Sequence, residues 1–217
     1  MRPVLVLRPQ PGADATAARA KALGLGSIVA PLFRIMPRGW EMPAEPFDAL
    51  LLTSANAARM LDDRLDRALP VYAVGEATAD AARTAGFSRI AVGQKDVAAV
   101  VAQARAEGVR SLLHLAGEDR TPFNPAGLSI ETRMVYAAEP CDPQSAFAEA
   151  LERGAVALLH SARAARRFRE LAGAAHRIAA ISPAVLEAAG EGWAASAVAD
   201  RPADDALLAA AARLCQD

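Results

Sequence analysis

Cysteine and histidine are scarce in this chain, two of the first and three of the second in 217 residues. Cys141 and Cys215 make no metal-ligand spacing and no disulfide framework. His114 and His176 have no partner at a telling spacing. There is no G-x-G-x-x-G and no Walker sequence, which removes the common signatures of dinucleotide and nucleotide sites. No apolar run approaches the ~20 residues of a membrane span. The opening Met1-Arg2-Pro3-Val4-Leu5-Val6-Leu7-Arg8 lacks the long apolar region and cleavage site of a signal peptide. It reads as a first strand, and the expected compartment is the cytoplasm. An excess of one charge is also missing, with 24 basic against 25 acidic residues and a net charge of −1. That argues against a nucleic-acid or anionic-membrane partner. An acidic ligand would have to be held by a few local groups.

What the chain has is apolar content, 53% of its residues, enough for one large domain or two small ones. The most informative stretch is Ala49 to Arg59. It starts apolar through Leu52, turns small and polar at Thr53, Ser54 and Asn56, and continues as helix formers from Ala57. Strand, tight turn and helix in that order leave backbone N–H groups and a hydroxyl at a helix N-terminus, ready for an anion. Much the same sequence returns at Ala157 to Arg166. Leu51 and Leu158, Ser54 and Ser161, Arg59 and Arg166 are each 107 positions apart. A repeat that long predicts two similar domains.

In order, strands are expected at 4–7, 27–33, 47–53, 71–74, 89–92, 111–116, 132–138, 155–160, 177–181 and 195–199. Helices are expected at 15–23, from 57 to about 67, from the Gly75-Glu76-Ala77-Thr78 turn on to 84, and at 97–106, 146–153, 162–171, 184–189 and 204–214. The turn at 93–96 precedes one of these helices, and Pro122 and Pro125 make 121–127 a loop. Short buried strands alternating with helices predict parallel α/β sheets. Residues 2–8 resemble 110–116, so the second copy is complete over 38–134. The first is split into 1–34 plus 145–217, supplying two and three strands. Proline-marked linkers fall at about 35–46 and 133–144. Two crossings predict a hinge with a cleft beside it, and ligands of open α/β sheets bind beyond the carboxyl ends of strands.

This order resembles the uroporphyrinogen-III synthase family. The residues that carry it are Leu51-Leu52-Thr53-Ser54, Tyr72-Ala73-Val74-Gly75-Glu76-Ala77-Thr78, Val135-Tyr136, Leu159-His160-Ser161 and Ile181-Ser182-Pro183. The resemblance covers nearly the whole chain and lies in the combination, since no single motif is strict. It implies two flavodoxin-like parallel-sheet domains joined by a two-strand linker, with the active-site cleft between them. It implies cyclisation of hydroxymethylbilane to uroporphyrinogen III with inversion of ring D and loss of water. It implies no metal, no cofactor, and a monomer with a transient contact to hydroxymethylbilane synthase. The substrate carries eight carboxylates, and the enzyme's task is to fold it so that ring D reacts at its hindered carbon through a spiro intermediate. Outrunning spontaneous closure by about 99:1 takes roughly 2.7 kcal/mol. A few carboxylates at helix N-termini, about 0.3–1 kcal/mol each, supply that magnitude.

Carried over residue by residue, Tyr136 matches the tyrosine that assists loss of the hydroxyl. Ser54, Ala55 and Asn56 match the first strand-to-helix turn that meets substrate carboxylates. Gly75 and Thr78 match the second turn, and Ser161, Ala162 and Arg163 the corresponding turn of the split domain. Arg8 and Arg120 are cationic candidates at strand ends. Ser182 stands where the family often has glycine, and Ala184 and Val185 stand in its threonine region, so Ser182 would have to supply that hydroxyl. Plainer readings stand beside these. Ser54 and Ser161 also fit as N-caps worth about 1 kcal/mol, Gly75 as a turn former, Tyr136 as a packing residue and His160 as a satisfied strand-end group. Arg163, Arg166, Arg167 and Arg169 fit a solvated helix face. The alternative function is a non-catalytic two-domain small-molecule binding or regulatory module.

Overall fold

The computed structural model describes residues 1–93, 96–120, 122–143 and 145–216. Gln94 and Lys95 of the 93–96 turn, Thr121 of the 121–127 loop, Gln144 of the second linker and Asp217 lie outside the described residues. In chain order the elements are β1 (Val4–Val6), α1 (Gly12–Ala22), β2 (Ser27–Val29), β3 (Phe33–Pro37), β4 (Ala49–Leu52), α2 (Ala55–Ala58), β5 (Val71–Val74), α3 (Glu76–Thr84), β6 (Ile90–Gly93) and α4 (Val97–Ala106). Then follow β7 (Ser111–Gly117), β8 (Ser129–Pro140), α5 (Ser145–Glu152), β9 (Val156–Leu159), α6 (Ala162–Ala172), β10 (Arg177–Ala180), α7 (Pro183–Ala189), β11 (Ala195–Val198) and α8 (Asp204–Gln216). The chain divides into two units, Met1–Arg34 with Glu139–Asp217, and Ile35–Ala138.

Unit 1 is built on a five-stranded sheet in the order β11-β10-β9-β1-β2, with every pairing parallel. Val4, Leu5, Val6 and Val156 to Leu159 are fully buried, as central parallel strands covered on both faces must be. On one face α1 and α8 lay Ala13, Ala20, Leu207, Leu208 and Ala211 against Val4, Val6 and Leu158. Phe168 of α6 is also fully buried, stacked on Trp193 and edge-on to Phe147.

Unit 2 has a six-stranded sheet in the order β3-β8-β7-β4-β5-β6. From β8 to β6 the pairings are parallel. The edge differs. Arg38 N–H donates to Val135 O at 2.8 Å and Cys141 N–H to Leu32 O at 2.9 Å, so β3 runs antiparallel to β8. The duplication is visible in the register. Leu51 pairs with Tyr72, and Leu158 with Ala179, each 107 residues on. Strands β8-β7-β4-β5-β6 repeat β2-β1-β9-β10-β11.

Three expectations need correction. The strand expected over 27–33 is two strands in two sheets, because the chain leaves the first sheet after Val29 and joins the second at Phe33. The first linker, read from its prolines at 35–46, opens as strand β3, which bonds its backbone to the twelve-residue β8 that contains the strand expected at 132–138, as a two-strand linker requires. The helix expected to reach about residue 67 is the four-residue α2. Asp62 and Asp66 accept from the backbone N–H of Arg64 and Ala68, two residues on, and these local bonds compete with the helix.

Candidate functional site

The carboxyl ends of β4, β5 and β7 and the middle of β8 meet around a pocket in unit 2. Its volume is about 300 Å³, and its walls include Thr53, Ser54, His114, Gly117, Arg120 and Tyr136. The local sequence explains why the strand ends open there. Ser54 leaves the strand at φ −149° and ψ 136° as the N-cap of α2, its Oγ accepting from Asn56 N–H at 3.1 Å. Gly75 caps α3 at φ 83°, a conformation that glycine adopts at no steric cost.

Tyr136 is placed by two features of β7 and β8. Ala116 pairs with Met134 but Gly117 pairs with Tyr136, so β8 carries one extra residue, a bulge that re-aims the side chain. The ring then lies across Gly117, where an added Cβ would come within 2.6 Å of its Cζ. From that seat the Tyr136 hydroxyl donates to Ser54 Oγ at 3.0 Å.

His114 lies beneath. It is 1% exposed, with Nε2 3.1 Å from Thr53 Oγ1 and Nδ1 3.3 Å from Thr132 Oγ1. Burial, helped by the nearby Arg120 guanidinium, pulls its pKa down to about 4, so the ring is neutral at neutral pH. One ring nitrogen therefore donates and the other accepts.

Of the candidates from the sequence, Ser54, Tyr136 and Arg120 line this one pocket. Ala55 and Asn56 follow in α2, and Gly75 caps the next helix. Thr78 is buried, with its N–H bonded to Gly75 O at 3.2 Å.

The remaining candidates lie in unit 1, beyond β1, β9 and β10. Ser161 caps α6, its Oγ accepting from Ala164 N–H at 3.2 Å, and Ala162 opens that helix. Arg163 lies over the Phe33 ring at 4.5 Å. Ser182 is the N-cap of α7, ahead of Pro183, and makes no side-chain cap bond.

Arg8 joins a network around Asp204. Its Nη1 is 3.6 Å from the Asp204 carboxylate and donates to Thr16 Oγ1 at 3.4 Å. Thr16 donates to Asp204 at 3.0 Å, Arg19 pairs with it at 2.8 Å, and His160 Nε2 lies 2.7 Å away. Burial works against ionisation of Asp204, but the bonds from His160, Thr16 and Arg19 outweigh it and hold the pKa at about 2.

Sequence reasoning missed Thr53, Thr132, His114, Gly117 and Asp204. One signal was available. Leu112-Leu113-His114-Leu115 repeats Val4-Leu5-Val6-Leu7 with a single polar exception. Among the described residues no group of three or more His, Cys, Asp or Glu is placed to hold a metal ion. No described helix is long and apolar enough to cross a membrane.

Residues 14–209 match the family model described as uroporphyrinogen-III synthase HemD. No curated protein matches. Among solved structures, the uroporphyrinogen-III synthetase of Helicobacter pylori 26695 is 19% identical over 99% of this chain and 100% of that one, with a TM-score of 0.66. A mutant uroporphyrinogen III synthase of the extremely thermophilic bacterium Thermus thermophilus is 19% identical over 98% and 99%, at a TM-score of 0.49. The first of these likenesses shows a shared fold.

Proposed function

The chain belongs to the uroporphyrinogen-III synthase family, and from that premise we propose how its residues serve the reaction. It is an enzyme of haem biosynthesis that cyclises hydroxymethylbilane to uroporphyrinogen III, inverting ring D and releasing water. A non-catalytic binding module is not favoured, because the match runs through both units.

The hydrogen bond from Tyr136 to Ser54 carries the reading. A serine hydroxyl has two lone pairs and one proton. Here both lone pairs are occupied, one by the Tyr136 O–H and one by Asn56 N–H. The Ser54 proton is thereby left to donate into the pocket. A donor backed by a second donor suits the departing hydroxyl, which must gain a proton as its carbon–oxygen bond breaks. Electrons for the departure come from the pyrrole nitrogen.

Substrate carboxylates meet Ala55 and the Asn56 side chain at the start of α2, the Asn56 N–H itself being bonded to Ser54, the start of α3 that Gly75 caps, and the charge of Arg120. In unit 1 the turns at Ser161, Ala162, Arg163 and Ser182 offer the same kind of anchor, with Arg8 nearby in sequence to the β1 end. Thr78 serves by holding its own turn.

The test is direct. Purified protein is incubated with hydroxymethylbilane, the product is oxidised, and the isomers are separated. The expected product is the type III isomer. Type I alone, at the spontaneous rate, would overturn the reading.

A further inference from the structure

The two copies differ most at one crossover. In unit 1 the chain passes from β1 to β2 through the eleven-residue helix α1, whose Ala13 and Ala20 cover Val6. In unit 2 the same crossover, from β7 to β8, spans residues 118–128, and none of its described residues is helical. Phe123, Ala126 and Leu128 pack back on the sheet against Leu112 and take over part of the covering role.

The floor changes to match. Leu158 pairs with Val6 and Leu51 with His114, so His114 stands where unit 1 has Val6. One strand further out, Val29 gives way to Thr132. Two valines under a helix have become an imidazole and a hydroxyl under an open space. Burying polar groups costs free energy unless they are bonded, and the bonds among His114, Thr53 and Thr132 offset that cost. Packing alone gives no reason for the exchange.

The space is a cavity of about 450 Å³, lined by His114, Arg120, Phe123 and Thr132 among others. It shares His114, Arg120 and Phe123 with the pocket of Ser54 and Tyr136. Phe123 stands edge-on to the His114 ring at 5.3 Å. Among the described residues Arg120 has no ion-pair partner. Among the described residues lining the cavity the carboxylate is Glu118, which is paired with Arg38 at 2.8 Å, while Asp119 lines the adjoining pocket. The net offering is a flat apolar surface, a cation and a hydroxyl wall, in a volume at the small end of ligand sites.

We propose that this cavity is a subsite for one carboxylate-bearing pyrrole ring of the substrate, with Phe123 against the ring and Arg120 on a carboxylate. The proposal rests on the reading of the adjoining pocket as the place where the hydroxyl leaves. A ring seated here fixes one pyrrole next to the Tyr136–Ser54 pair, and the rest of the chain must fold over from that anchor. A guanidinium meets a carboxylate with two parallel N–H bonds, which orients the ring as well as holding it.

The experiment uses the full chain and a monopyrrole bearing one acetate and one propionate side chain, titrated by amide-resolved NMR. Wild-type protein should show shifts at residues 112–116 and 128–134. The dissociation constant should rise at least tenfold in both Phe123→Ala and Arg120→Gln, with recovery to within about threefold in Arg120→Lys. Retained amide dispersion in each variant shows that it is folded. Shifts confined to other residues, or wild-type affinity in both Phe123→Ala and Arg120→Gln, would overturn the subsite. Isomer analysis of wild-type turnover, run in parallel, judges the catalytic reading by itself, since the titration involves no turnover.

Discussion

At Ser54 one hydroxyl connects two elements of unit 2, accepting from α2 and from the tyrosine of β8. That geometry changes what a serine substitution is expected to do. Read as a plain N-cap, Ser54→Ala would cost about 1 kcal/mol of stability and some binding. With the Tyr136 bond in place, turnover should fall as well. At His114 the consequence is a pH dependence. Its pKa is about 4 in the folded protein against 6.5 when exposed. Below 6.5 the unfolded chain takes up a proton that the folded chain refuses, so stability falls with pH from about 6.5 and levels off near 4. The full effect is about 3 kcal/mol. Urea midpoints measured from pH 7.5 to 4.5 should drop, and His114→Asn should flatten the drop. An unchanged slope in that variant would mean that other groups titrate. None of this was legible in the sequence. Thr53 and His114 are 61 residues apart and Thr132 another 18, and only the pairing of β4, β7 and β8 brings them together.

At the scale of elements, strands and helices with strong periodicity were readable to within a residue or two. β5, α3 and α4 fall where expected because each has a clean start, Gly75 or Asp96 for the helices, and no competing local bonds. The failures share a cause. α2 stops early because Asp62 and Asp66 offer the backbone shorter-range partners. β3 was hidden because Pro37 closes it and Gly39, Pro43 and Pro46 follow, so the stretch read as a linker, although an edge strand tolerates a proline. The β8 bulge leaves no mark in the sequence at all, yet it aims Tyr136. Gly117→Ala tests that device. The residue has no positive φ, so the whole effect comes from the methyl meeting the Tyr136 ring. Overpacking of this kind costs about 1–3 kcal/mol. The variant should stay folded but lose turnover comparably to Tyr136→Phe. Wild-type turnover in Gly117→Ala would show that the ring's seat does not matter.

For the whole molecule, the repeat at 107 residues was the strongest sequence signal, because two copies of one topology keep their register while their surfaces diverge. Pro122 and Pro125 did mark the missing crossover helix in one copy, but nothing in the sequence showed what space its loss leaves, because that depends on how Phe123, Ala126 and Leu128 pack back on the sheet. Unit 1 joins the two ends of the chain, and Asp204 binds them. It ties α8 to Thr16 and Arg19 of α1 and to His160 after β9. Its pKa of about 2, against 3.8, means stability that is present above pH 4 and lost as the pH falls toward 2. That is worth about 2 kcal/mol. Asp204→Asn should lower the melting temperature at pH 7 and shrink the difference from wild type at pH 2.5. Equal melting temperatures at pH 7 would make the network incidental.

Tyr136 and Ser54 acting together on the departing hydroxyl is the central claim. Single-turnover rates with hydroxymethylbilane, read together with the isomer ratio, test it in wild type, Tyr136→Phe, Ser54→Ala and the double variant. General acid assistance is worth about 10²–10⁴-fold, and the lower end applies to a leaving group that departs readily unaided. The expected result is a loss of about 10²-fold in each single variant, with more type I product from spontaneous closure. The double variant should be little slower than the singles, as expected for two groups in one hydrogen-bonded unit. A Tyr136→Phe variant with wild-type rate and undiminished type III purity would contradict the claim, and so would losses that multiply fully in the double variant.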